Sequence, residues 1–209
     1  MRVLAAGGDP PPERALAEAA RALRAGWPVV LPTDTVYGLA ALAGDARAAG
    51  RLFALKGRPP ELAVPVLLAS VAQVDDLAVG VTDGALALMD AFWPGGITVV
   101  VRRRPGVGLH LGGPDDGTLG LRVPAHPVPI ALAESIGPLA ATSANRHGRP
   151  TPATAREAAS DLAADVDVVL DGGPCEGSPS TVVSCVGEEV VLLREGRIRS
   201  GEVWEVLAR

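Results

Sequence analysis

A mixed, twisted β-sheet flanked by helices, an α/β fold of the α+β type, is predicted by three features of the sequence. Apolar runs of strand length are interspersed with amphipathic helical stretches, the succession is too irregular for a doubly wound repeat, and two strand-like runs stand as hairpin neighbours near the end. The 209 residues exceed one typical domain of about 150 and fall short of two. No linker, repeat or low-complexity tract divides them, so residues 1–209 are read as a single domain.

Glu13 to Arg24 set Ala and Leu among Glu and Arg at helical spacing, and Gly26 follows where a left-handed cap is wanted. Trp27 to Pro32 reads as a buried strand that delivers Thr33, Asp34, Thr35 and Tyr37 at its carboxyl end, where open α/β sheets place ligands. Asp45 is suited to cap a helix running to about Leu55, which ends in Lys56, Gly57, Arg58, Pro59 and Pro60. Val64 to Leu68 is a strand, and Thr82 caps a helix to Trp93 that Pro94, Gly95 and Gly96 break. A strand over Ile97 to Arg102 precedes a glycine-rich irregular stretch, Gly106 to Gly117.

Beyond it, a strand over Leu119 to Val123 stops at Pro124, and a helix covers about Val128 to Ile136. Leu139 to Thr142 is a short strand running into Ser143, Ala144 and Asn145, a second strand end that carries polar groups. A helix over Thr154 to Ala164, a strand over Val166 to Leu170, strands around Thr181 to Val186 and Glu189 to Leu193, and a short terminal helix complete the prediction.

A hydrophobic share of 48% with 21% charged residues excludes a disordered chain. The net charge of -5 disfavours extended nucleic-acid binding, and the run Arg102, Arg103, Arg104 reads as a solvated strand end. Cys175 and Cys185 fit neither a disulfide framework nor a zinc site and read as reduced thiols. Met1 to Gly8 is too short for a signal peptide and no apolar run reaches spanning length, so a cytoplasmic protein without membrane contact is expected.

Lys56 and Arg58, two apart beside prolines, suit phosphate or carboxylate oxygens, but their spacing alone favours a solvated helix terminus. Thr33 and Thr35 either grip a small ligand or satisfy local backbone, and Asp34 is expected to make an Asx-type turn bond without a catalytic role. Ser143 lacks the G-x-S-x-G elbow, and His110, His126 and His147 show no pairing, which argues against a serine hydrolase. Neither a P-loop nor the dinucleotide glycine spacing is present.

Taken together, the motifs resemble the YrdC/Sua5 family of threonylcarbamoyl-AMP synthases across nearly the whole chain. The family's P-T-D/E-T-x-Y/F-G turn stands at Pro32 to Gly38, K-x-R-P at Lys56 to Pro59, R-x-P at Arg122 to Pro124 and T-S-A-N at Thr142 to Asn145. Ser180, Thr181 and Arg194 match its later S-T and L-R-x-G pieces. The resemblance implies a YrdC-like domain of the short form, and a reaction in which L-threonine and bicarbonate give a carbamate that attacks the α-phosphorus of ATP.

It further implies threonine ligands at Thr35, Arg122 and Ser180, and ATP contacts at Arg58, Thr118, Ser143, Asn145, Thr151 and Arg194. Lys56 and Arg58 are the implied catalytic cations, Mg2+ the implied helper, and a tRNA threonylcarbamoyl transferase complex the implied recipient of the product. The chain departs from the family pattern at Leu62, Ala63, Val64, Leu67, Gly96, Gly120, His147 and Pro179. Competing readings are a non-catalytic RNA-binding or regulatory paralogue, with at most weak RNA contact in the main reading, and a carbamoyl-transferring relative.

Overall fold

The computed structural model describes residues 1–114, 116–162 and 166–209. Its first half runs β1 (Arg2–Ala5), α1 (Glu13–Arg24), β2 (Val29–Leu31), β3 (Gly38–Leu42), α2 (Ala46–Lys56), β4 (Val66–Leu67), α3 (Val74–Leu77) and α4 (Asp83–Phe92). The second half runs β5 (Ile97–Arg102), β6 (Thr118–Arg122), α5 (Pro127–Ile136), β7 (Leu139–Ser143), α6 (Ala155–Leu162), β8 (Val168–Asp171), β9 (Thr181–Ser184), β10 (Val191–Arg194) and α7 (Ser200–Leu207). The described strands form one sheet in the order β1-β8-β2-β3-β7-β4-β6-β5-β9-β10. Parallel and antiparallel pairs mix along it, as an irregular strand–helix succession requires.

Local signals fix most boundaries. The Asp45 carboxylate accepts from the N–H groups of Arg47 and Ala48 at the start of α2, and Gly57 ends that helix at φ 59°. Thr82 accepts from Ala85 N–H to open α4. Two strands escape sequence reading. β3 is the run Gly-Leu-Ala-Ala-Leu, poor in strand formers, and is held extended because β2 and β7 hydrogen-bond it on both edges. β1 is short and gains its place by parallel pairing with β8. The end of the helix expected over Thr154 to Ala164, and Asp115 within the irregular stretch, lie outside the described residues.

Side chains alternate across the sheet with a period of two and so build two cores. Val29 and Leu31 join a core with α1 and α5, which pack on β8, β2, β3 and β4, while Val30 faces a larger core with α2, α4, α6 and α7. Along β5 and β6 the residues Val99, Val101, Leu119 and Leu121 point into the larger core. Their alternates Thr98, Val100, Thr118, Gly120 and Arg122 emerge on the other face, beyond the reach of α1 and α5. That half-uncovered face is where the cavity forms.

Candidate active site

A cavity of about 480 Å³ lies on this face, bordered by β5, β6 and β9, by the strand ends carrying Thr35 and Ser143, and by the glycine-rich stretch. Of the residues named from sequence, it brings together Thr35, Arg58, Thr118, Arg122, Ser143, Thr151, Ser180 and Arg194. Lys56 and Asn145 stand behind the wall instead, as described below.

At the inner end Thr35, Arg122 and Ser180 are buried. Arg122 donates from Nη2 to Asp34 Oδ1 at 2.6 Å, from Nη1 to Thr35 Oγ1 at 2.9 Å and from Nε to the Gly95 carbonyl at 2.9 Å. Burial pulls the Arg122 pKa down while Asp34 pushes it up, and a guanidinium stays charged regardless. Thr33 Oγ1 donates to the Val36 carbonyl and accepts from the Thr35 and Val36 N–H groups. Thr35 Oγ1 lies 2.9 Å from Thr33 Oγ1, accepts from Arg122 Nη1, and borders the cavity. Ser180 Oγ lies 2.9 Å from Thr98 Oγ1 and 3.3 Å from Arg194 Nη2.

The expected Asx-type bond of Asp34 is not what forms. Its Oδ1 accepts from Arg122 and from Ala125 N–H, far along the chain, and its Oδ2 is buried with no hydrogen bond among the described residues. The reason is the fold: the end of β6 brings a buried guanidinium beside the turn, and an ion pair there outcompetes a local turn bond.

At the outer end the cations are half-buried or exposed and hold mainly carbonyls, with Arg194 also reaching Ser180 Oγ. Arg58 donates to Leu62 O and Ala63 O, both at 2.9 Å, and Arg194 grips Ser180 O at 2.8 and 3.1 Å. Burial first and the nearby Arg194 second lower the Arg58 pKa, which places the two positive charges within range of each other. Thr118 Oγ1 donates to Asp116 Oδ1 at 2.7 Å. Gly112, at φ 65°, lets the glycine-rich stretch press close to Phe53 and the Pro60 carbonyl, where a Cβ would clash.

Lys56 does not project from its helix as a solvated terminus, since it is 3% exposed. Its ammonium shares three protons among four oxygens: Ser143 O at 2.7 Å, Ser143 Oγ at 3.1 Å, and Asn145 O and Oδ1, both at 3.0 Å. Asn145 Nδ2 in turn donates to Arg146 O and Arg149 O. Lys56 and Asn145 therefore brace the loop that presents Ser143. Burial, with Arg58 adding to it, lowers the Lys56 pKa to about 8. Within the arginine run Arg102 and Arg104 are exposed, as a solvated strand end would be, and Arg104 donates to Asp75 O; Arg103 differs, being half-buried and donating to Val107 O and Leu109 O.

Sequence reading missed Thr98 and Asp116, both in the cavity lining. A hydroxyl inside the apolar run Ile97 to Val101 was the available signal for the first; a carboxylate in a glycine-rich stretch offered none for the second.

A family model for Sua5, YciO and YrdC proteins, described as "Telomere recombination", matches residues 21–196. The chain belongs to this family. A Mycobacterium tuberculosis (strain H37Rv) relative is 42% identical over 195 residues, covering 93% of this chain and 89% of that protein. The threonylcarbamoyl-AMP synthase of Bacillus subtilis is 37% identical over 201 residues, and the matched region is 92% of this chain but 56% of that protein. The crystal structure of Pyrococcus abyssi Sua5 complexed with L-threonine aligns with a TM-score of 0.92 at 33% identity, over 99% of this chain and 61% of that one.

Proposed function

We propose that this protein makes threonylcarbamoyl-AMP from L-threonine, bicarbonate and ATP, acting as a nucleotidyltransferase that releases pyrophosphate. The observation that carries the reading is one cavity with two unlike ends: a buried guanidinium flanked by hydroxyls, and paired cations at the mouth. The curated relatives named for this activity favour it over a non-catalytic paralogue or a carbamoyl-transferring relative.

In this reading the Arg122 donors left after its three bonds meet the amino acid's carboxylate, Thr35 Oγ1 accepts from its nitrogen, and Ser180 steadies an oxygen. Threonine's amine and bicarbonate lose water to form a carbamate. A carbamate oxygen then bonds to the α-phosphorus of ATP as the bond to pyrophosphate breaks, so no side-chain nucleophile is needed. Arg58 and Arg194 neutralise the phosphate oxygens, Ser143 and Thr118 orient them, and Thr151 borders the same volume. Lys56 and Asn145 act from behind by holding Ser143 in place.

Among the described residues no His, Cys, Asp and Glu trio is grouped for a metal, and Asp116 is the carboxylate that lines the cavity. Mg2+ fits as an ion carried by the triphosphate, which it would help to neutralise, with Asp116 as a carboxylate in the lining that could meet it. The product passes to a tRNA threonylcarbamoyl transferase complex in the cytoplasm, with at most weak direct RNA contact.

The test is pyrophosphate release from ATP with bicarbonate and threonine, serine or no amino acid. Threonine-dependent release is expected. ATP left intact in all three, or consumed equally in all three, overturns the reading.

A further inference from the structure

Thr98 stands in the run Ile97, Thr98, Val99, Val100, Val101, where valine would have the same shape and suit a strand at least as well. The hydroxyl is therefore the feature that needs a reason. It is 2% exposed, on the cavity face of β5, and its hydrogen-bond partner is Ser180 Oγ at 2.9 Å.

The proton count at this pair is restrictive. Ser180 Oγ already accepts from Arg194 Nη2, so if Ser180 spent its own proton on Thr98, it would offer the cavity a lone pair but no proton for a ligand oxygen. If Thr98 donates instead, Ser180 accepts from Thr98 and Arg194 together and its proton is left to point at a ligand oxygen. A neighbouring departure from the family pattern serves the same geometry. Gly120 lies across the β5–β6 pair, and a Cβ there would sit 3.1 Å from Thr98 Cγ2, closer than a methyl comfortably allows.

We infer that Thr98 is a positioning residue for the amino-acid substrate: it fixes the direction of the Ser180 hydroxyl proton so that Ser180 donates to an oxygen of threonine or of its carbamate. This rests on the synthase reading of the cavity. Gly120 leaves the Thr98 methyl room to hold that rotamer. Arg194, gripping Ser180 from the other side, ties the two ends of the cavity through one serine.

The experiment uses the full chain and compares wild type with Thr98→Val, Thr98→Ser, Ser180→Ala and the Thr98→Val/Ser180→Ala double variant. Threonine-dependent pyrophosphate release gives kcat and the KM for each substrate; calorimetric titration with threonine and thermal unfolding are read alongside. Thr98→Val should raise the threonine KM and the threonine dissociation constant by about 5- to 30-fold, with the ATP KM and the melting temperature near wild type. Thr98→Ser should restore most of the loss, and Thr98→Val should add little once Ser180 is alanine.

A wild type without threonine-dependent release would sink the synthase reading beneath the inference. With an active wild type, an unchanged threonine KM in Thr98→Val, equal losses for threonine and ATP, no rescue by serine, or additive effects in the double variant would each overturn the role of Thr98 alone.

Discussion

At the inner end of the cavity the charge is already answered: Arg122 faces Asp34, Thr33 pairs with Thr35, and Thr98 pairs with Ser180. At the mouth Arg58 and Arg194 hold backbone carbonyls, with no carboxylate in an ion pair with either among the described residues. A small zwitterion needs orientation more than added charge, and a polyanion needs net positive charge with freedom to adjust. The same side chain, arginine, thus does two jobs according to whether a carboxylate is packed against it. Substitutions that break the Arg122–Asp34 pair should therefore cost both fold and function, those in the hydroxyls beside it mainly threonine affinity, and those at the mouth mainly ATP affinity.

The largest effect is expected from Arg122→Met. It leaves Asp34 buried with Oδ2 already lacking a donor, and losing one member of a buried pair costs about 3–5 kcal/mol. Chemical denaturation should show that loss, together with abolished threonine-dependent turnover. Adding Asp34→Asn should recover stability but not activity. If Arg122→Met alone is both stable and active, the inner end is not a preset clamp.

Lys56 lies between the two cases, and pH separates its effects. Its pKa of about 8 in the folded chain is below the ordinary 10.5, so between those values the unfolded state binds more protons than the folded one. The lysine's contribution to stability therefore rises with pH across that window. Turnover should move the other way, because deprotonation weakens the bonds that hold Ser143. Pyrophosphate release falling above pH about 8 without a matching fall in melting temperature is the expected pattern. In Lys56→Met the activity step at that pH should disappear, and the Ser143 and Asn145 oxygens left without a donor should cost about 1–3 kcal/mol each. Parallel loss of stability and activity above that pH would reduce Lys56 to a structural post.

What the sequence made legible tracks how local the cause is. Asp45, Thr82 and Gly57 act within a few residues, and their helices stand where expected. The polar groups after β2 and β7 were visible because strand ends are recognisable punctuation. Asp34 was misjudged since its partner is 88 residues away, and Lys56 because a lysine at a helix exit is ordinarily solvated. Thr98 became interpretable only when β5 and β9 aligned it with Ser180. β3 was hidden for a similar reason, as its two neighbouring strands rather than its own residues keep it extended.

The smallest effect belongs at the mouth, where Leu62, one of the departures from the family pattern, is 42% exposed. Its carbonyl already holds Arg58 Nε, so Leu62→Asn should leave that contact intact while adding a side-chain donor beside the phosphate-facing cation. One added hydrogen bond of about 0.5–1.5 kcal/mol corresponds to roughly a two- to tenfold lower ATP KM. The threonine KM and the melting temperature should stay put, since neither the inner hydroxyl cluster nor a core contact is touched. A change in threonine KM of the same size would mean that the two ends are not energetically separate. Arg194, which touches Ser180 from the mouth side, would then be the place to look for the coupling.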